Sequence, residues 1–106
     1  MDLLQGTLDV LILRTLAWGP MHGYAVSRWI RERTKGELDI EDAPLYKSLH
    51  RLERAGHVNA EWGISENNRR ARYYKLTPAG RAQLKHAEST WRRYAAAVFA
   101  VLEPAR

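Results

Sequence analysis

Residues 42 to 76 constrain the fold most tightly, because an amphipathic helix pattern with one cationic side runs straight into two short strand patterns joined by a polar turn. At about 100° per residue, Leu45, Leu49 and Leu52 fall together, while Lys47, His50, Arg51 and Arg54 cluster on the other side. Alone, such a helix reads as an ordinary solvated surface element. The segment after it changes the reading. Val58, Ala60, Trp62 and Ile64 alternate with the period of two expected of a half-buried strand, and Tyr73-Tyr74-Lys75-Leu76 supplies the returning strand. Between them Glu66-Asn67-Asn68 offers residues that tolerate a left-handed turn.

Arg69, Arg70 and Arg72 stand at or just beyond that turn. Three guanidiniums so close repel one another unless an anion is near, and their planar forks suit phosphate oxygens. The competing expectation is local pairing with Glu61 and Glu66, which neutralises charge for little energetic gain. A cationic helix followed by a basic hairpin is the order in which a winged helix meets duplex DNA: the helix offers groove contacts, the hairpin contacts to the flanking backbone. Double-stranded DNA is therefore the expected partner. The candidate contacts are Lys47, His50, Arg51 and Arg54 on the helix, and Asn67, Asn68, Arg69, Arg70 and Arg72 on the wing.

The charge is placed accordingly. The 106-residue chain carries a net +5, but residues 1 to 41 hold five Lys/Arg against six Asp/Glu, and residues 42 to 106 hold twelve against six. The cationic excess lies in the helix, the wing and the C-terminal segment, as a polyanionic partner requires. The length suits a single core. There is no cysteine, which excludes disulfides and thiolate metal sites and fits a reducing compartment. Met1-Asp2 lacks a basic leader, and Asp9 and Arg14 interrupt the first apolar run. Neither a signal peptide nor a membrane span is expected, and a cytoplasmic location is.

The remaining elements assemble around this unit. Leu4, Leu8, Leu11, Ile12 and Leu16 form a helical stripe, with Leu3, Val10 and Leu13 off it, so the first helix is apolar on more than one side. A second copy of the chain is the simplest cover for the extra face. Gly19-Pro20 ends that helix. Tyr24, Val26 and Ile30 mark a second helix reaching about Thr34, and Leu38-Asp39-Ile40 suits a minimal strand or an extended link. Thr77-Pro78 reads as N-cap and first turn of a helix that nothing breaks before Pro104. Along it Leu84, Ala87, Trp91, Tyr94, Val98 and Val101 recur at steps of three and four, the spacing of a coiled-coil seam. About 25 residues at 1.5 Å each make a helix near 38 Å, longer than the body of a small domain, so its far half is expected to dimerise.

The expected fold is mainly α with a small β-hairpin, an α+β winged helix-turn-helix over residues 1–76 with a C-terminal dimerisation helix over 77–106. An enzyme is not expected. His22, His50, His57 and His86 sit on separate elements without metal-ligand spacing, and no phosphate loop or nucleophile elbow appears. His22 suits a helix start and His57 a helix exit. No cofactor or metal is implied. The rival function is a winged-helix module that docks protein through the seam of its last helix; RNA is disfavoured by the lack of paired stacking aromatics on a strand.

Several motifs also resemble the PadR family of bacterial transcriptional regulators: Leu4-Gln5-Gly6-Thr7-Leu8, Gly19-Pro20-Met21-His22-Gly23-Tyr24, Leu45-Tyr46, Leu49-His50-Arg51-Leu52-Glu53, Glu66-Asn67-Asn68-Arg69-Arg70-Ala71-Arg72-Tyr73-Tyr74 and Leu76-Thr77-Pro78-Ala79-Gly80. They occur in family order over nearly the whole chain. The resemblance implies a winged-helix domain, one C-terminal dimerisation helix and, usually, repression of nearby genes. It puts Tyr46, Lys47 and His50 on the recognition helix and Arg69, Arg70 and Arg72 on the wing. Where the family often has Gly-Ser, this chain has Ala43-Pro44, which removes an N–H from the helix start and leaves Asp42 as the expected cap. Some relatives bind aromatic molecules between their C-terminal helices. By that resemblance Trp91, Tyr94 and Phe99 are candidates to line a small aromatic effector site, with plain interface packing as the alternative.

Overall fold

A computed structural model describes residues 6–104, in the order α1 (Thr7–Leu16), β1 (Met21–His22), α2 (Gly23–Arg33), α3 (Asp42–Arg54), β2 (Val58–Ile64), β3 (Arg70–Leu76) and α4 (Pro78–Leu102). The result is the α+β winged helix that the pattern predicts, with one more strand. Leu4 lies outside the described residues.

The first helix is the axis of the core. Ile12, Leu13 and Leu16 are almost wholly buried, and α2, α3, α4 and β3 all pack against α1. Its extra apolar faces are therefore covered largely by its own chain, and Leu8 and Leu11 lie partly buried against the same core. A second copy, the simplest cover that the sequence suggests, is therefore not required for the part of these faces that Ile12, Leu13 and Leu16 form. The helix ends at Ala17 ahead of Gly19, whose φ of 148° no other residue adopts readily.

The short helices start and stop by local hydrogen bonding. At the start of α2 the backbone N–H of Ala25 donates to His22 Nδ1 at 3.1 Å, so this histidine is a cap, as its place beside Gly23 suggests. Its other end closes through the Gly36 N–H, which donates to the Arg31 carbonyl at 2.8 Å. Leu38 to Ile40 form no strand. This link is tied by the Leu38 N–H to Thr34 Oγ1 at 3.1 Å and anchored by buried Ile40. The third strand is instead Met21–His22, which pairs antiparallel with β3 and gives the sheet order β1-β3-β2.

In the hairpin, Val58 pairs with Leu76 and the ladder runs to Ile64 opposite Arg70. Asn68 takes the left-handed turn conformation at φ 58°, and the Ser65 N–H donates to the Arg69 carbonyl at 2.8 Å. The returning strand begins at Arg70 rather than Tyr73, which makes Arg70 and Arg72 strand residues with fixed facing. Burial fades along the strands. Val58, Tyr74 and Leu76 are buried, but Trp62 and Ile64 are 62% and 61% exposed. The half-buried alternation expected there stops because the hairpin's outer half extends beyond the helices beneath it.

The last helix divides in two. Thr77 Oγ1 accepts from the Gly80 N–H at 2.9 Å and donates to the Gly56 carbonyl at 2.6 Å, fixing the helix start to the corner that follows α3. A Cβ on Gly80 would stand 1.9 Å from the His57 carbonyl oxygen, so only glycine permits this approach. Leu84 is buried in the domain core and Ala87 packs on it. Leu84 is thus taken from the expected dimer seam, because the first half of α4 lies along α1. Trp91 Nε1 donates to Thr7 Oγ1 at 3.0 Å. Beyond it Tyr94, Phe99, Val101 and Leu102 are exposed. None of the helices is long and apolar enough to cross a membrane, among the described residues.

Replacing Gly80 by alanine should cost about 2 kcal/mol or more and lower the melting temperature by roughly 10 °C, since backbone rather than a movable side chain meets the added methyl. A thermal melt followed by circular dichroism checks this; an unchanged melting temperature would mean the corner is slack.

Candidate nucleic-acid interface

Helix α3 carries Leu45, Leu49 and Leu52 into the core and leaves Tyr46, Lys47, His50 and Arg54 exposed. Its start has no side-chain cap. Glu41 is the boundary residue and Asp42 the first helical one, so the expected capping role of Asp42 does not occur. The acidic group still sits favourably at the positive end of the helix dipole.

Tyr46 fixes the lateral position of the helix. Its ring lies against Gly23 so closely that a Cβ there would be 2.5 Å from the hydroxyl oxygen. Glycine at the start of α2 therefore lets the second helix of the helix-turn-helix nest against it. Partial burial, and secondarily the nearby Asp42 carboxylate, hold the Tyr46 hydroxyl pKa above its ordinary value, so the group stays a neutral donor.

A second joint ties helix to wing. Arg72 reaches from β3 to Glu53 of α3 with Nη2 3.0 Å from Oε2, both side chains about one-third exposed. Beneath it the hydroxyl of Tyr74, a buried residue, is raised in pKa chiefly by burial, with Arg72 opposing. The wing tip has its own tether, Arg28 to Glu66 at 3.8 Å. Arg51 turns to the other flank of α3, where it pairs with Asp9 of α1.

These pairs sort the expected contacts. Arg51 and Arg72 are already neutralised by carboxylates from neighbouring elements, which removes them from the set of free cations. The expected pairing within the hairpin does not form either, since Glu66 turns to Arg28 instead. Lys47, Arg54, Arg69 and Arg70 have no carboxylate partner among the described residues. Arg70 lies over the Trp62 ring, 4.5 Å from its centroid.

Between α3 and the wing runs a cleft of about 450 Å³. It brings together Tyr46, His50, Asn67, Arg69, Arg70 and Arg72 of the expected set, whereas Lys47, Arg51, Arg54 and Asn68 lie outside it. Glu66, Ala71 and Tyr74 also line it, as do His22, Gly23, Tyr24, Trp62 and Ser65, whose place here the sequence pattern does not announce. For Trp62 a signal existed in the excess of apolar residues over what a short hairpin can bury; for Tyr24 there was none. Such a cleft, lined by Arg69, Arg70 and Arg72 with Glu66 and by the rings of Tyr24, Tyr46 and Trp62, can seat a nucleic-acid backbone between helix and hairpin.

The effector candidates are not assembled within one chain. Trp91 lines a separate cleft of about 300 Å³ with Thr7, Val10, Leu11, Arg14, Leu38, Glu88 and Arg92. Tyr94 and Phe99 are not part of it.

Comparison with known proteins agrees with this architecture. The Transcriptional regulator PadR-like family matches residues 12–86. A protein X of Lysinibacillus sphaericus is 32% identical over 90 residues, which cover 85% of this chain and 83% of that protein. Among solved structures, a transcriptional regulator of Clostridium thermocellum superposes with a TM-score of 0.85 at 29% identity, covering 93% of this chain and 96% of the other. A PadR family transcription regulator of Clostridium difficile gives a TM-score of 0.77 at 26% identity over 91% and 98% of the two chains. With the family model spanning most of the chain and the winged helix, recognition helix and basic hairpin all in place, this protein belongs to the PadR-like family of DNA-binding transcriptional regulators.

Proposed function

We propose that the protein is a homodimeric repressor that binds an inverted-repeat operator, with α3 in the major groove and the wing on the flanking backbone. The observation that carries this reading is the set of unneutralised cations on the two elements that frame the cleft: Arg69 and Arg70 line it from the wing, and Lys47 and Arg54 stand outside it on the exposed side of α3. His50 and Lys47 are the side chains assigned to base edges and nearby phosphates. Arg69 and Arg70 are assigned to the backbone. Arg51 and Arg72 act as braces. Asn67 and Asn68 shape the turn that presents the arginines.

The dimer is proposed from α4. Tyr94, Val98, Phe99, Val101 and Leu102 place an exposed apolar surface on the half of the helix that leaves the body. Such a surface favours a partner over water, at about 25 cal/mol per Å² covered. Two copies joined there would offer two recognition helices to successive major grooves, about 34 Å apart. A dimer seated across a promoter excludes polymerase, which is the repressing step.

Substituting alanine for Arg69 and Arg70 together should weaken operator binding and reduce the slope of log K against log salt by about 1.8, or 0.9 per lost phosphate contact. Gel-shift titrations across a salt series measure it, and an unchanged slope would remove these residues from the phosphate set. Sedimentation of the wild-type chain should give twice the 12.2 kDa chain mass. Val98→Asp with Phe99→Asp should return the monomer mass and lower operator affinity on the order of a hundredfold through loss of bivalency. A double variant that remains dimeric would place the interface elsewhere.

A further inference from the structure

The inner face of the wing contains an aromatic residue that the core does not use. Residues paired across an antiparallel ladder share a face, so Val58 with Leu76, Ala60 with Tyr74, Trp62 with Arg72 and Ile64 with Arg70 form one continuous row. The first two pairs are packed on the body. The last two extend past it, which leaves Trp62 62% exposed and Ile64 61% exposed beside the cationic cleft. Trp62 is a wall of that cleft, as are Arg69 and Arg70.

The surroundings of Trp62 argue for a ligand that is apolar on one side and anionic on the other. Arg70 stacks on its ring at 4.5 Å, an arrangement that holds the guanidinium in place while leaving its N–H edge free to donate. No carboxylate among the described residues competes for Arg70, and the tip's Glu66 is held by Arg28. Arg72, directly opposite Trp62, is fixed to Glu53, so the ring's height over α3 is set. The chemistry that fits an exposed indole flanked by a free arginine is a nucleotide backbone, whose deoxyribose is apolar and whose phosphate lies one bond away.

We propose that Trp62 is a DNA-contacting residue: its ring seats a deoxyribose of the strand passing between α3 and the wing, and it positions Arg70 on the adjoining phosphate. This rests on the DNA-binding reading above and adds a contact that charge alone does not supply. Trp62 therefore acts both through its own surface and through Arg70.

The test uses the full chain and a duplex selected from genomic fragments by the wild-type protein. Trp62→Ala should weaken binding roughly tenfold, as losses of stacked aromatic contacts on nucleic acid do, with the melting temperature unchanged because the ring is mostly exposed. Trp62→Phe should retain part of the affinity. In a double-mutant cycle, Trp62→Ala with Arg70→Ala should cost less than the product of the two single losses, the signature of a shared contact. Full affinity in Trp62→Ala, or strictly multiplicative losses, would overturn the proposal. So would a fall in affinity that follows a fall in melting temperature, which would mark Trp62 as structural. A wild-type chain that shifts no duplex would instead defeat the parent reading, and the two failures are distinguishable.

Discussion

The wing is tied to α3 by a side-chain joint, Arg72 to Glu53, with Arg28 to Glu66 steadying the tip, because the hairpin's outer half has little beneath it to pack on. The pair is only partly exposed, and a charge-assisted hydrogen bond in that setting contributes on the order of 1 to 3 kcal/mol. Arg72 Nε is buried without a partner, so desolvation offsets some of that gain. What the joint secures is orientation. With Arg72 held on α3, Trp62 and Arg70 face the cleft rather than swinging with the tip.

The same economy governs the other charges near α3. Arg51 braces the helix against α1 through Asp9, and Arg28 steadies the tip through Glu66. Braces and free cations alternate around the recognition helix. The cations left over, Lys47, Arg54, Arg69 and Arg70, have no carboxylate partner among the described residues, and Arg70 is held instead on the Trp62 ring. A helix surface so divided is fixed on its flanks and open along its ridge, which is what a rigid probe of a groove needs.

Much of this was legible in the chain. The leucine spacing of α3, the asparagines at the turn and Thr77-Pro78 each fix local backbone by chemistry that acts within a few residues, and each element stands where its signal lies. The failures share a different origin. Leu84 looked like seam because periodicity says that a face is apolar, not which surface covers it. The ion pairs of Arg51 and Arg72 could not be read because their carboxylate partners are 42 and 19 residues away in sequence. The two-residue strand at Met21 has no pattern to read, since it exists only as an edge added to β3. Trp62 obeyed the alternation of its strand, yet the strand outlasted the core.

The contact between Gly80 and the His57 carbonyl has a mechanical consequence. It leaves no room for a side chain between the base of α4 and the corner where α3 ends, and Thr77 bolts the same spot to Gly56. A rod of 25 residues is thereby clamped at one end beside the reading head. Such a clamp leaves no loose hinge at the base of the rod, so the first turn of α4 and the corner after α3 are held as one piece.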